Sequence, residues 1–331
     1  MAVLLAVLAA VFVASLLVGR YGMPPGKVAQ LVLERLGLVA QTSTGAERTA
    51  FFVIRLPRNL GAMVVGAGLA CAGAVFQAVF KNPMSSPDIL GAATGAGFGA
   101  ACGILLSLST LAVQGLSFVG GLGAVLLTCW VSRRIDGRSP SPLTMVLTGM
   151  VVSAIFQAGV SLTKYVADPN STLPSITLWL MGTFNGVGND ELPWLAGLIV
   201  AATLPMFLLR WRVSVLAMGD EEARTLGVNV GGLRWAMILC ATLVTSTTVA
   251  FCGVIGWVGL VVPHMARSLV GADYTRLLPA SALIGASFTL AVDVVARSLT
   301  QVELPLGILT ALIGAPFFLV LLKRSRGGWG Q

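Results

Sequence analysis

Ten stretches of this chain are each long and apolar enough to cross a bilayer. They fall at about 1–19, 59–80, 90–108, 111–132, 143–163, 191–210, 233–252, 254–270, 277–297 and 304–322. A helical span needs roughly 20 mostly apolar residues. In lipid the backbone must satisfy its own hydrogen bonds, which leaves helices as the way to span. Composition agrees: 56% of the 331 residues are hydrophobic and only 10% are charged, whereas a soluble domain carries about 25% charged residues. Too little polar surface exists to cover a globule in water. The chain reads as all-α, a polytopic membrane bundle of about ten helices forming a single transmembrane domain over 1–331. The run at 254–270 is the most irregular, because Gly253, Gly256, Gly259 and Pro263 interrupt it. Residues 1–19 lack a basic segment before the apolar run and exceed most signal-peptide cores, so they read as the first transmembrane helix.

Charge placement orients the bundle. With both termini cytoplasmic, thirteen basic residues face the cytoplasm: Lys81, Arg133, Arg134, Arg138, Arg210, Arg212, Arg224, Arg234, Arg267, Arg276, Lys323, Arg324 and Arg326. Eight face outward: Arg20, Lys27, Arg35, Arg48, Arg55, Arg58, Lys164 and Arg297. The excess inside follows the positive-inside rule. Six of the outer eight fall between Arg20 and Arg58, against that trend. Such a cluster suits a docking surface for an acidic partner, or is ordinary solvated loop charge. The net charge of +8 thus reports orientation, and no segment pairs basic residues with aromatics as a nucleic-acid surface would.

Small residues recur along two spans, Gly61, Gly66, Ala70 and Gly73 in one and Gly91, Gly95 and Gly99 in the next. In lipid, close backbone packing drives helix association. Pro263 and Pro316 lie inside apolar runs, while Pro83, Pro87, Pro140, Pro142, Pro169, Pro174 and Pro305 mark junctions. Transport proteins tolerate broken helices where protein or a cavity receives the freed backbone groups.

One internal connection is long and polar, residues 211–232, and faces the cytoplasm in this topology. Asp220 is placed to cap a short helix there, with Glu221 and Glu222 in its first turn, Arg224 further along and Gly227 as its terminator. Leu216, Ala217, Ala223 and Leu226 supply apolar contacts. A short helix outside the bilayer suits docking into a groove of a soluble partner, or is a plain surface helix.

Catalytic and metal-binding patterns are missing from the sequence. His264 is the one histidine, which excludes an HExxH zinc site. It reads as a polar prop for the irregular region around Pro263, or as a contact for cargo or metal. No GxSxG elbow occurs. Gly22 to Val28 imitates a nucleotide-binding loop, but the spacing is one residue short and Val28 stands where a magnesium-binding Ser or Thr is needed. Any ATP must therefore be hydrolysed by another chain. The five cysteines, Cys71, Cys102, Cys129, Cys240 and Cys252, lie in apolar runs without a CxxC pair and read as packing residues. Asp293 and Arg297 are four apart on one helix face and can pair. An ionisable residue within a span raises an ion-coupled secondary carrier as an alternative, but a proton relay would need further acids along a path.

Several segments together resemble the FecCD family of ABC importer permeases, which includes the vitamin B12, haem and ferric-siderophore permeases. They are Arg55-Leu56-Pro57-Arg58; Gly66 to Ala70 with Gly73 and Gln77; Lys81-Asn82-Pro83-Met84-Ser85-Ser86-Pro87-Asp88-Ile89-Leu90-Gly91; Trp179 to Gly182; Leu216 to Gly219; Ala223 to Val228; Gly256 to Arg267; Glu303 to Pro305; and Gly314 to Pro316. The resemblance covers almost the whole chain. It implies a type II importer fold with ten helices per subunit, a second permease subunit in a homodimer or close heterodimer, two cytoplasmic ABC ATPases, and a periplasmic or lipid-anchored solute-binding protein.

The resemblance also implies site roles. Residues near 213–231 become coupling helices seated in the ATPases, carried by Gly219, Asp220, Glu221, Glu222, Ala223, Arg224, Leu226 and Gly227. Arg55, Arg58 and Arg297 would meet acidic residues on the binding protein, and Arg297 could instead simply partner Asp293. Asn82 and Met84 lie at the family's cytoplasmic gate, with Pro142 and Leu143 at a second gate position. Two small polar residues occupy that second position in the family's B12 branch, so this chain departs from it there. The implied function is ATP-driven import of a metal chelate, with an iron-siderophore as the leading cargo and haem, cobalamin or molybdate as alternatives. No cofactor is expected on this chain, since ATP and magnesium belong to the partner ATPase. The implied location is the cytoplasmic membrane of a bacterium or archaeon, lipid surrounding the bundle.

Overall fold

The computed structural model describes residues 1–19, 22–137 and 140–326, with side chains as far as Leu319. Arg20 and Arg138, and the side chains of Lys323, Arg324 and Arg326, lie outside the described residues.

In chain order the helices are α1 (Ala2–Leu17), α2 (Pro25–Arg35), α3 (Gly45–Arg48), α4 (Leu56–Val79), α5 (Ala92–Leu105), α6 (Thr110–Asp136), α7 (Pro142–Val166), α8 (Thr172–Leu180), α9 (Glu191–Leu208), α10 (Arg210–Met218), α11 (Asp220–Thr225), α12 (Val230–Cys252), α13 (Val258–Val270), α14 (Tyr274–Ser298) and α15 (Leu306–Arg326). A π-helical stretch, Thr49–Arg55, runs into α4, and a 3-10 turn, Pro87–Leu90, leads to α5. Among the described residues six helices are long and apolar enough to cross a membrane, and α1, α5, α13 and α15 are shorter apolar helices. Together they occupy the ten apolar runs.

The short helices refine the expected boundaries. The run at 90–108 yields only the 14-residue α5, about 21 Å at 1.5 Å per residue, so it does not fill a hydrocarbon core of about 30 Å alone. The run at 254–270 is helical only from Val258. Gly253 (φ +70°) and Trp257 (φ +70°) bound the break. Gly259 and Pro263, expected as breakers, are accommodated within α13. The freed backbone groups are received by protein. Thr183 N donates to Cys252 O at 2.8 Å, while Leu306 N and Gly307 N donate to Gly182 O and Met181 O at 3.0 Å each. The end of α12 and the start of α15 therefore meet beside the turn that follows α8.

The core forms around α4, which packs against α9, α12, α13 and α14. Close approach is possible because of glycine. A Cβ on Gly73 would lie 1.7 Å from the Gly259 carbonyl oxygen, and one on Gly99 would lie 2.1 Å from that of Leu116. Both glycines belong to the small-residue rows seen in the sequence.

Two elements were not anticipated. The α2–α3 region forms a small satellite in which Met23, Val28, Leu31 and Phe51 pack together. Within it Glu34 accepts from the backbone N–H groups of Thr42 and Ser43 at 3.0 and 3.1 Å, and from the Ser43 hydroxyl. These bonds, led by that of Ser43 and opposed by partial desolvation, hold the Glu34 carboxyl down at about 2. The other is α8, a 9-residue helix on the connection from α7 to α9.

Candidate functional sites at the two ends of the bundle

The ends of the helices define two opposite faces. One gathers the start of α4, the ends of α1 and α14, and the loops carrying Asn185 and Glu303. Here Arg58 is the organising residue. Its Nε and Nη2 donate to Asp293 Oδ1 at 3.0 and 2.7 Å, and its Nη1 donates to Glu303 Oε1 at 2.9 Å and to the Asn185 side-chain oxygen. Arg297 donates to the Ser15 carbonyl at 2.8 Å and to Asn59 Oδ1 at 3.1 Å, and stands 3.6 Å from Asp293. Arg55 donates to the Leu16 carbonyl at 2.6 Å. The expected Asp293–Arg297 pair is therefore present, but the shorter, doubled contact of Asp293 is to Arg58.

Arg55, Arg58 and Arg297 converge. With Gly19, Ala50, Ile54 and Glu303 they line one cavity of about 200 Å³. Their burial is the surprise: all three are 5–6% exposed, and Asp293 is 0% exposed. In low dielectric a buried charge needs a counter-charge or hydrogen bonds, and two acids and the α1 carbonyls supply them. Among the described residues, the remainder of the basic cluster is dispersed. Lys27 pairs with Glu47 at 3.0 Å, and Arg48 donates to Gln41 and the Ser43 carbonyl at 3.0 and 2.9 Å.

The opposite face gathers the end of α4, the starts of α7, α12 and α14, and the α10–α11 pair. Gly219 is extended and separates α10 from α11. Ala223 is buried, while Glu221, Glu222, Arg224, Leu226 and Gly227 are exposed. Gly227 takes the left-handed conformation at φ +74°, as a terminator should. Asp220 does not cap its helix, for Gly219 holds the cap position and no side-chain cap bond forms. Its carboxylate instead meets Lys81 Nζ at 2.8 Å and Arg234 Nη2 at 3.1 Å. Partial burial works to raise the Asp220 carboxyl. The Lys81 hydrogen bond and the charges of Arg234 and Lys81 outweigh it and hold the carboxyl below the usual carboxylate range. A further tie runs from α10 to α14: Ser214 Oγ donates to Asp273 Oδ1 at 3.0 Å and accepts from Tyr274 N at 2.8 Å.

The expected gate residues lie on this same face. Asn82 Oδ1 accepts from Met84 N at 2.9 Å, forming a tight turn that leaves the Met84 side chain 45% exposed. Pro142 occupies the first turn of α7, which Ser141 caps through Thr144 N at 3.1 Å, and Leu143 is 67% exposed. His264 sits half-buried on α13. Among the described residues no group of His, Cys, Asp and Glu is arranged to hold a metal ion.

The model of the FecCD transport family matches residues 7–324. The chain belongs to the FecCD transport family. This FecCD permease is 39% identical over 320 residues to the molybdate import system permease protein MolB of Haemophilus influenzae, covering 96% of this chain and 94% of the relative. It is 40% identical over 275 residues to a probable iron chelatin transport system permease protein of Helicobacter pylori, covering 83% and 82%. Among solved structures it matches one described as an inward-facing conformation of an ABC transporter assigned to the metal-chelate type, with TM-score 0.83, 37% identity and 97% of each chain covered. The FecCD permease is thus a multi-pass membrane subunit of an ABC importer and not an enzyme. Its family implies a dimeric permease, separate ATPase subunits and a substrate-binding partner.

Proposed function

We propose that this permease passes a ferric chelate, with an iron-siderophore as the leading cargo, through a path shared between two copies of the chain. With α7 taken as a helix lining that path, the observation that carries the cargo class is its uncharged length. From Leu143 to Thr163 it bears no Asp, Glu, Lys or Arg, and Leu147, Met150, Val151 and Ile155 are exposed on it. A small bare oxyanion losing its water would need donors to replace it, whereas a chelate carries its own envelope around the metal. Molybdate is the second reading, favoured by the similarity to the Haemophilus influenzae permease over 96% of the chain.

The same reading assigns the two faces. The α11 face sits in the cytoplasm and receives two ABC ATPases through Glu221, Glu222, Arg224 and Leu226. The arginine face sits outside and receives the binding protein. Both termini are then cytoplasmic, since α1 ends at the arginine face and α15 starts from it. Asn82, Met84, Pro142 and Leu143 from each copy surround the cytoplasmic exit, where an apolar constriction can close by excluding water.

The test is uptake into proteoliposomes holding the permease, its ATPase and its binding protein. Iron-loaded hydroxamate and catecholate siderophores, haem, cobalamin and molybdate are supplied in turn. ATP-dependent accumulation of a ferric siderophore is expected. Accumulation of molybdate alone would overturn the cargo assignment, and uptake that persists without the ATPase but collapses with the ion gradient would overturn the importer assignment.

A further inference from the structure

The end of α4 carries a residue that local geometry disfavours. Lys81 has φ +48°. It occupies the position after the helix cap, with Asn82 N bonding back to Gln77 O and Lys81 N to Ala78 O at 3.2 Å each. Glycine is the usual occupant of that left-handed position, because it has no Cβ to crowd the neighbouring carbonyl. A lysine stands there instead, and its ammonium group lies 2.8 Å from Asp220, the two side chains 36% and 31% exposed.

The other partner of Asp220 is fixed. Arg234 projects from the first turns of α12 with its side chain 14% exposed, and its Nη2 reaches both Asp220 oxygens at 3.1 Å. Asp220 is therefore held to α12 on one side and to the ammonium group of Lys81, which springs from the turn at the end of α4, on the other. The residue directly after Lys81 is Asn82, whose side chain shapes the turn that presents Met84.

We infer that the Lys81–Asp220 ion pair is the strut through which α11 moves the Asn82–Met84 turn. Asp220 is then a positioning residue facing the gate, while Glu221, Glu222 and Leu226 of the same short segment face away. This rests on the reading that α11 docks the ATPase and that the turn forms the exit. The geometry adds a division of labour: one acid of the Asp220-Glu221-Glu222 triplet transmits, and its two neighbours remain on the surface.

The experiment reports gate movement without needing the cargo. A spin label at Met84→Cys is measured between the two copies of the full complex, before and after trapping with ATP and vanadate. Trapping is expected to change the distance in the parent. Lys81→Met and Asp220→Asn should each abolish most of that change while the ATPase stays bound and hydrolyses ATP. The double variant should lose no more than either single one, because both remove the same contact. Lys81→Arg and Asp220→Glu should retain the movement.

A full distance change in Asp220→Asn, or losses that add in the double variant, would overturn the strut. Release of the ATPase by Asp220→Asn would also overturn it, by putting Asp220 in the docking surface. Leu226→Asp is the separate control for the docking reading and should release the ATPase. Retention in that variant would remove the docking reading, and the double-variant comparison at Lys81 and Asp220 would still decide the strut.

Discussion

Arg58 and Asp293 stand 235 positions apart in the chain, yet three hydrogen bonds of 3.0, 3.2 and 2.7 Å join them, and the aspartate has no exposed surface. Removing one partner leaves Asp293 only the longer contact to Arg297 at 3.6 Å, or Arg58 only Glu303, a loss bounded by the about 3–5 kcal/mol of a wholly unpaired buried charge. Arg58→Met and Asp293→Asn are each expected to lower the melting temperature of the detergent-solubilised permease sharply. Replacing both residues with apolar ones should recover much of the loss. A single variant that melts with the parent would show the pair to be dispensable. Charge reversal at Arg58 consequently tests folding as much as docking.

Glu303 offers the cleaner test of docking at the arginine face. It is the more exposed of the two acids on Arg58, with its side chain 24% accessible. Glu303→Gln keeps the shape and leaves Arg58 less neutralised toward an approaching acid. Faster association of the binding protein is expected, with a steeper dependence on salt. Stopped-flow rates at two ionic strengths measure both. Unchanged rates would move the docking contact elsewhere.

The meeting of α4 with α13 depends on Gly73. A methyl group there would sit 1.7 Å from the Gly259 carbonyl, so backbone must shift, and a loss of about 1–3 kcal/mol or more follows. Gly197→Ala is the matched control, since nothing lies within 4 Å of a Cβ at that helical position. It should be neutral or slightly stabilising. Melting curves that rank the two in the opposite order would contradict the packing.

Acid should loosen the α2–α3 satellite. The Glu34 carboxyl is held at about 2 against an ordinary value of 4.5. A carboxyl lowered by folding adds stability at pH values above its unfolded value, and that stability is lost as pH falls through the folded value. The loss should therefore fall between about pH 4.5 and 2, and Glu34→Gln should abolish the dependence. Hydrogen exchange of the Thr42 and Ser43 amides against pH follows it directly. Exchange in the parent that stays flat across that window would contradict the assignment.

The sequence showed most clearly what depends on near neighbours. The ten apolar runs, the glycine rows and the Gly227 terminator could be read because lipid burial, helix periodicity and left-handed backbone act within a few residues. The pairing of Asp293 shows the limit. Arg297 lies four residues away and announces itself by helical spacing, while Arg58, the nearer partner in space, gives no local sign. Asp220 misled for the same reason. An acid at the start of a short helix suggests a cap, and only the fold reveals Lys81 and Arg234 beside it. The α2–α3 satellite escaped notice because its apolar residues are too few and too interleaved with polar ones to form a run. The burial of the three arginines could not be read either, since their acceptors are carbonyls and acids contributed by α1, α14 and the following loop.

Helix α4 runs unbroken from Leu56 to Val79, 24 residues, about 36 Å at 1.5 Å per residue. Arg58 lies in its first turn and Lys81 just past its last. A load applied at either end therefore has no hinge in which to dissipate. On the proposed docking roles, a partner at the arginine face and a partner at α11 would grasp the same rod. Arg58 and Lys81 therefore shift together wherever α4 moves as one body.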